Sequence, residues 1–179
     1  RLSLTYPATF MLVAAMNPYP CGYFTDPKNY CTCNEGMIQK YLSRISGPLL
    51  DRIDIHLELP AVAFEELADK SAGESSASIN PEYSLPEPYR LSALKSSKSI
   101  SNAAMEKRQI RSYCQIDKEG EALLKSAMEK LGLSARAFDR ILKVSRTIAD
   151  MENTESISSV HIGEAIQYRS LDRSNWIGG

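Results

Sequence analysis

Residues 133–150 read LSARAFDRILKVSRTIAD and carry a clear helical pattern. Apolar and small side chains recur there at steps of three and four, at Phe138, Ile141, Leu142, Ser145, Ile148 and Ala149. Polar side chains occupy the intervening positions, at Arg136, Arg140, Lys143 and Thr147. Such steps return to the same side of a helix, so the pattern predicts an amphipathic helix over residues 134–151. Ser134 is a suitable N-cap for it.

The sequence on either side of this helix is also predicted to be helical. A basic helix is expected over residues 99–113, a further helix over residues 117–131 and a last one over residues 159–170. Each has an apolar face too wide to leave in water, so the helices should pack together. The sequence therefore predicts an all-α bundle over residues 89–173, followed by a tail over residues 174–179.

Residues 1–68 have the pattern of an α/β fold instead. The apolar run FMLVAA over residues 10–15 predicts a strand covered on both faces, which ends at the turn signal Asn17-Pro18. Residues 53–59 alternate apolar and polar side chains, which predicts a half-buried strand. Between them, apolar residues at helical spacing predict a helix over about residues 37–45, with Gly47-Pro48 ending it.

Residues 69–88 separate the two parts and contain five serines, three prolines and one glycine. A segment of this composition buries too little apolar surface to offset its ordering entropy. We therefore predict a linker or mobile loop over residues 69–88. Acidic residues predominate up to residue 88 and basic ones from residue 89 to residue 113, so the charge changes sign at the same place.

The composition narrows the class of protein. With 43% hydrophobic residues, 24% charged residues and a net charge of −1, the chain has ordinary globular composition. That charge excludes a histone-like nucleic-acid binder, and no window reaches the roughly 18–20 apolar residues of a membrane span. Four cysteines are too few for a disulfide scaffold and fit a cytoplasmic location. Because the chain opens with Arg1 rather than Met, we expect it to be a piece of a longer protein.

Four stretches resemble one known family. They are AAMNPYPCG at residues 14–22, SRISGPLLDRID at residues 43–54, the helix at residues 133–150 and EAIQYRSLDR at residues 164–173. In this order they resemble the magnesium-chelatase-like AAA+ ATPases of the ComM/YifB type. The resemblance implies the C-terminal part of an AAA+ P-loop core, from the sensor 1 strand to the arginine-finger strand, followed by a helical lid bundle. The expected fold class is therefore α/β plus all-α.

The resemblance also implies a function for the longer protein. Such a protein would be a homo-hexameric motor that uses ATP and Mg²⁺, most simply a DNA helicase that drives branch migration in natural transformation. This chain has no Gly-x-x-x-x-Gly-Lys-Ser/Thr motif and no metal-binding acidic strand, so it should not hydrolyse ATP by itself. Two alternatives remain: the ATPase subunit of a magnesium chelatase, and a non-enzymatic zinc adapter.

The family motifs assign nucleotide-contacting roles to single residues. Asn17 corresponds to sensor 1, which orients the attacking water or contacts the γ-phosphate. The alternative is that Asn17 and Pro18 only form the turn that ends a strand. Arg52 corresponds to the arginine finger, which reaches the nucleotide of a neighbouring subunit. The alternatives are a surface arginine paired with Asp51 or Asp54, or a finger supplied by Arg44.

Arg136 corresponds to sensor 2, an arginine of the lid that contacts the nucleotide of its own subunit. Its position in the first turn of the predicted helix supports this role, because a helix N-terminus carries partial positive charge. The alternative is a solvated basic helix face. The resemblance assigns no role to Arg140.

The three clustered cysteines are candidate zinc ligands. The family pattern is Cys-x-Cys, nine residues, then Cys-x-Cys, which suits a tetrahedral thiolate site. Here Cys21, Cys31 and Cys33 are present, but Tyr19 stands at the first position. A fourth ligand would then be water, Asp26 or another side chain. The alternative is that the thiols remain reduced and bind no metal.

Overall fold

The computed structural model describes residues 10–17, 19–23, 28–59, 62, 75 and 101–169. Among these residues there are six α-helices: α1 (Glu35–Leu42), α2 (Gly47–Leu50), α3 (Lys107–Tyr113), α4 (Lys118–Leu131), α5 (Ala135–Met151) and α6 (Ser159–Gln167). A 3₁₀ turn, Asn102–Ala104, precedes α3. The chain divides into two compact units, Arg1–Arg44 and Ile45–Gly179. No described helix is both long and apolar enough to traverse a lipid bilayer.

Local hydrogen bonds explain why α4 and α5 begin and end where they do. The Asp117 carboxylate accepts the N–H of Gly120 at 2.7 Å, and the Ser134 hydroxyl accepts the N–H of Ala137 at 3.2 Å. Each cap satisfies an N–H that has no partner inside its helix. α4 ends at Gly132, whose φ of +61° is left-handed, as is typical of a glycine C-cap. The starts predicted from the sequence for these two helices are therefore confirmed.

The core of the second unit lies among α3, α4, α5 and α6. α5 contributes six buried residues: Ala137, Ile141, Leu142, Ser145, Arg146 and Ala149. The other helices and their connections add Met105, Ile110, Cys114, Leu124, Leu133, Ile157, Ile162 and Ala165. The predicted helical bundle is confirmed, and the polar face of α5 stays outside the core with Arg136 exposed.

Arg146 is a charged residue on the buried face of α5, and each nitrogen of its guanidinium donates a hydrogen bond. Nε donates to the Asp150 carboxylate at 2.8 Å, and the two Nη atoms donate to the carbonyls of Glu155 at 2.6 Å and Thr154 at 2.5 Å. A buried charge is tolerated when it is paired and hydrogen-bonded in this way. Arg146 therefore holds together the turn that leads from α5 to α6.

Neither predicted strand is found among the described residues. Residues 10–17 have no regular secondary structure and are exposed, with Met11 at 87% and Val13 at 82%. Residues 53–59 also form no strand, and their burial does not alternate as predicted, since His56 is buried while Ile55 and Leu57 are exposed. A strand persists only when a neighbouring strand completes its hydrogen bonds, and no described segment pairs with either stretch. The strand predictions are wrong for these residues.

Two helix predictions need correction in their bounds. α1 ends at Leu42, and Gly47-Pro48 begins α2 rather than ending α1, because proline is well accommodated in the first turn of a helix. The predicted basic helix over residues 99–113 is a 3₁₀ turn followed by α3, which starts after the Glu106 capping box. Apart from Ser75, the predicted linker lies outside the described residues, as do residues 89–100 and 174–179.

We predict that Arg146→Met lowers the free energy of unfolding by about 2 kcal/mol, because hydrogen bonds to charged groups contribute about 1.5–3 kcal/mol and the substitution strands two carbonyls. Arg108→Met, at an exposed position of α3, is the matched control and should change it by less than about 0.5 kcal/mol. Urea unfolding followed by circular dichroism measures both. Equal stability of the two variants would contradict the role given to Arg146.

Candidate functional site

The second unit contains an open pocket with an excess of positive charge. Its volume is about 260 Å³, and it is lined by Arg52, Arg136, Asp139, Arg140 and Lys143. Four cationic side chains thus face one carboxylate in a single concave surface. Such a surface attracts anions, because the fields of like charges add within a cleft.

Helix α5 supplies most of this pocket from its polar face. Arg136, Arg140 and Lys143 follow one another at intervals of four and three residues, so they line one side of the helix. Arg136 lies in the first turn, and it makes no hydrogen bond or ion pair with another described residue. Lys143 donates to the carbonyl of Ala103 at 2.8 Å. The guanidinium of Arg136 is therefore available to a ligand.

Arg52 enters the pocket from the segment that follows α2. Its Nη1 donates to the carbonyl of Pro48, and its side chain is exposed. The sequence left open that Asp54 neutralises Arg52. In the structure Asp54 forms its salt bridge with Arg140 instead. Arg52 and Arg136, two residues that the sequence singled out separately, are brought together.

Three contacts hold the segment carrying Arg52 against the helices of the same unit. The Asp54 carboxylate pairs with Arg140, and the Ile53 carbonyl accepts from Nη1 of Arg169. The N–H of His56 donates to the carbonyl of Tyr168 at 2.8 Å. Arg169 is only 1% exposed, so its guanidinium is a buried anchor at the end of α6. No pattern in the sequence predicted a role for Arg169.

Sequence reasoning also missed Arg140 and Lys143 as pocket residues. Their spacing from Arg136 already placed them on the same helix face, and that signal was available. The contact of this face with the segment after α2 could not be predicted from the sequence, because Asp54 and Arg140 are far apart in the chain.

The other two nucleotide-contact candidates belong to the first unit. Asn17 is exposed, and its backbone carbonyl accepts from the Tyr41 hydroxyl at 2.9 Å. This bond ties the end of residues 10–17 to α1. Arg44 is exposed just after α1.

The three clustered cysteines come together in the first unit. The Sγ atoms of Cys21, Cys31 and Cys33 all lie within 4.8 Å of one another, and those of Cys21 and Cys31 are 3.5 Å apart. The N–H of Tyr23 donates to Cys21 Sγ at 3.4 Å. This hydrogen bond is the main cause that lowers the pKa of Cys21 to about 7, whereas burial raises the pKa of Cys33.

A tight turn positions Cys21 close to Cys31 and Cys33. The carbonyl of Tyr19 accepts the N–H of Gly22 at 2.9 Å, and Gly22 has a φ of +79° that favours glycine. Asp26, considered as a fourth ligand, lies outside the described residues. Cys114 belongs to the core of the other unit, where burial raises its pKa to about 11.

Comparison with known proteins gives a consistent result. The family model of the magnesium chelatase subunit ChlI matches residues 1–67, and the model of the ChlI C-terminal region matches residues 86–169. The chain is 41% identical over 174 residues to the uncharacterized protein YifB of Salmonella typhimurium and 40% identical over 174 residues to YifB of Escherichia coli. It is 37% identical over 171 residues to the competence protein ComM of Haemophilus influenzae.

These alignments cover nearly all of this chain but only part of each relative. For the two YifB proteins the shares are 97% of this chain and 33% of the relative. For ComM they are 95% and 32%. The chain thus spans about a third of the length of the curated relatives that it matches.

We predict that the chain binds inorganic triphosphate through this pocket and that Arg136→Ala raises the dissociation constant about tenfold. A charge-assisted hydrogen bond is worth about 1.5–3 kcal/mol, and a factor of ten corresponds to about 1.4 kcal/mol. Isothermal titration calorimetry at low salt measures this. Arg111→Ala, at an exposed position of α3, is the control, and an equal loss in both variants would argue against the pocket.

Proposed function

Because the chain belongs to the family of the magnesium chelatase subunit ChlI, we propose that it forms the sensor and lid part of an AAA+ ATPase. The observation that carries the proposal is the pocket that Arg52 and Arg136 share. The longer protein would use ATP with Mg²⁺, and the pocket would receive the phosphates of the nucleotide. The family relationship supports ATP as the ligand. The positive charge of the pocket supports the proposal that this chain contacts the phosphates of ATP.

The side chains of the pocket suit a triphosphate. A guanidinium is a permanently charged planar fork that bonds two phosphate oxygens at once. During phosphoryl transfer, negative charge is spread over the γ-phosphate oxygens, so fixed positive groups aimed there lower the barrier. Arg136 is free of other described partners, and Lys143 adds a further positive charge. Asp139 reduces the excess of positive charge in the pocket.

The pocket is incomplete as a catalytic site. The sequence contains neither a phosphate-binding glycine loop with its lysine nor an identified acidic residue for Mg²⁺. Both would come from outside these 179 residues. We therefore expect the chain alone to bind phosphate without hydrolysing ATP. In the longer protein, Mg²⁺ would neutralise phosphate charge while Arg52 and Arg136 orient the γ-phosphate.

We further propose that Arg52 and Arg136 of one subunit contact the same nucleotide. The sequence resemblance assigned Arg52 to the neighbour's nucleotide and Arg136 to the nucleotide of its own subunit. Because both side chains line one pocket, a single ligand bound there can contact both of them. If Arg52 acts across a subunit boundary, Arg136 would act across it as well. Asn17 keeps the proposed role of sensor 1 residue.

The proposed work of the longer protein is remodelling of DNA by a homo-hexamer. The similarity to the competence protein ComM of Haemophilus influenzae over nearly the whole chain supports this proposal. A branch-migration motor in natural transformation would be consistent with that name. The chain has a net charge of −1, although residues 89–113 are basic, so we propose that most of the DNA contacts lie elsewhere in the longer protein.

A magnesium chelatase subunit is the second candidate, because both matching family models describe the subunit ChlI. Such a subunit would use ATP to drive metal insertion by a partner enzyme. The two candidates differ in what accelerates ATP turnover by the longer protein. Branched DNA would accelerate a DNA motor and leave a chelatase subunit unchanged. A zinc adapter without ATPase activity has less support, since the phosphate pocket would then be unexplained.

The roles of the two arginines predict a specific rescue pattern in the longer protein. Arg52→Ala and Arg136→Ala should each lower kcat for ATP by at least about tenfold, since an arginine finger is worth about 10³–10⁵ in rate. Each is then mixed with subunits lacking the phosphate-binding lysine. Those subunits cannot hydrolyse ATP, but their arginines can complete the site of a mutant neighbour. Both mixtures should regain activity.

The alternatives give different patterns in the same mixing experiment. If only Arg52→Ala were rescued, Arg136 would act on the nucleotide of its own subunit, and the shared site would be contradicted. If unmixed Arg52→Ala kept the full ATPase rate, the arginine finger would be assigned to Arg44 instead. Arg108→Ala, outside the pocket on α3, is the control and should keep the full rate without mixing.

A further inference from the structure

The sulfur atoms of the first unit are spaced for a metal ion. Zinc binds thiolate sulfur at about 2.3 Å, so two ligand sulfurs are at most about 4.6 Å apart and about 3.8 Å apart in a tetrahedron. The sulfurs of Cys21, Cys31 and Cys33 lie within 4.8 Å of one another, and one pair is 3.5 Å apart. Changes of up to about 1 Å in the sulfur–sulfur distances therefore bring all three to ligand distance.

The three sulfurs favour a soft metal, and the described residues around them supply no fourth ligand. Thiolates prefer zinc and copper(I) over magnesium or calcium. Among the described residues, no histidine, aspartate or glutamate joins this cluster. The residue two positions before Cys21 is Tyr19, which is buried and carries a phenol rather than a thiol. A structural zinc site normally has four protein ligands, so this set is one short.

We propose that Cys21, Cys31 and Cys33 bind one Zn²⁺ through three thiolates and leave its fourth position open to a small ligand from solvent. Each cysteine gives up its proton on binding, so the loading releases protons. An open position makes the ion exchangeable and able to accept a small thiol. The site differs in this respect from a closed structural zinc site.

The ion would link two described segments that lie between Asn17 and α1. Cys21 belongs to the turn closed by the bond between Tyr19 and Gly22, while Cys31 and Cys33 lie just before the Asn34 cap of α1. Binding would therefore tie this turn to the residues that precede α1. The Tyr41 hydroxyl of α1 already holds the Asn17 carbonyl. Zinc would add a second constraint on the backbone beside Asn17.

The first test is stoichiometry, measured on the whole chain after chelator treatment, loading with Zn²⁺ under reducing conditions and gel filtration. Elemental analysis should give close to one zinc per chain. Cys31→Ser and Cys33→Ser should each lose most of the metal, whereas Cys114→Ala removes a cysteine of the other unit and should retain it. Circular dichroism reports whether each variant keeps its helices. Zinc well below one per chain in the unmodified protein would overturn the proposal.

The second test addresses the open position with Co²⁺ in place of zinc. The cobalt complex should show thiolate-to-metal charge transfer, and its visible bands should shift when a small thiol is added. Tyr19→Cys supplies a fourth thiolate at the missing position, so it should abolish the shift and slow zinc release to a chelator several-fold. If the visible bands of the unmodified protein did not shift when the thiol was added, the proposal of an open fourth position would be overturned. Unchanged zinc release in Tyr19→Cys would do so as well.

Discussion

The arrangement of the second unit depends on a buried guanidinium at the end of α6. Arg169 is 1% exposed and donates to the carbonyl of Ile53, a residue more than a hundred positions earlier in the chain. Burying a charge is costly unless its hydrogen bonds are made, so Arg169 strongly favours keeping the Ile53 segment in place. The Asp54–Arg140 pair and the bond from His56 to Tyr168 complete the attachment. These contacts hold the segment that carries Arg52 beside α5.

This attachment sets both the geometry and the charge of the pocket that we propose for phosphate. Asp54 neutralises Arg140, which leaves Arg52, Arg136 and Lys143 as the positive groups facing a ligand. α5 is itself fixed by its buried face and by the bonds of Arg146. A change in the position of α5 would therefore move both arginines relative to a bound nucleotide. This coupling is what a sensor in a lid requires, because nucleotide contact and lid position become one equilibrium.

The sequence predicted what local interactions decide and missed what depends on distant partners. The starts of α4 and α5 follow from caps within a few residues, at Asp117 and Ser134. The strands predicted over residues 10–15 and 53–59 require neighbouring strands, and no described residues provide them. The burial of His56 and the anchor at Arg169 arise from long-range contacts that no periodicity reveals. The cysteine spacing indicated a cluster, but only the folded turn at Gly22 brings the sulfurs within 4.8 Å.

The central claim is that Arg52 and Arg136 of one subunit serve a single nucleotide. The most direct measurement is an experimental structure of the longer protein with a non-hydrolysable ATP analogue and Mg²⁺. The account predicts that the guanidinium groups of Arg52 and Arg136 from the same subunit both lie within hydrogen-bond distance of the same γ-phosphate. It would be contradicted if the two groups contacted different nucleotides, or if Arg136 faced solvent while the γ-phosphate was bound by other cations.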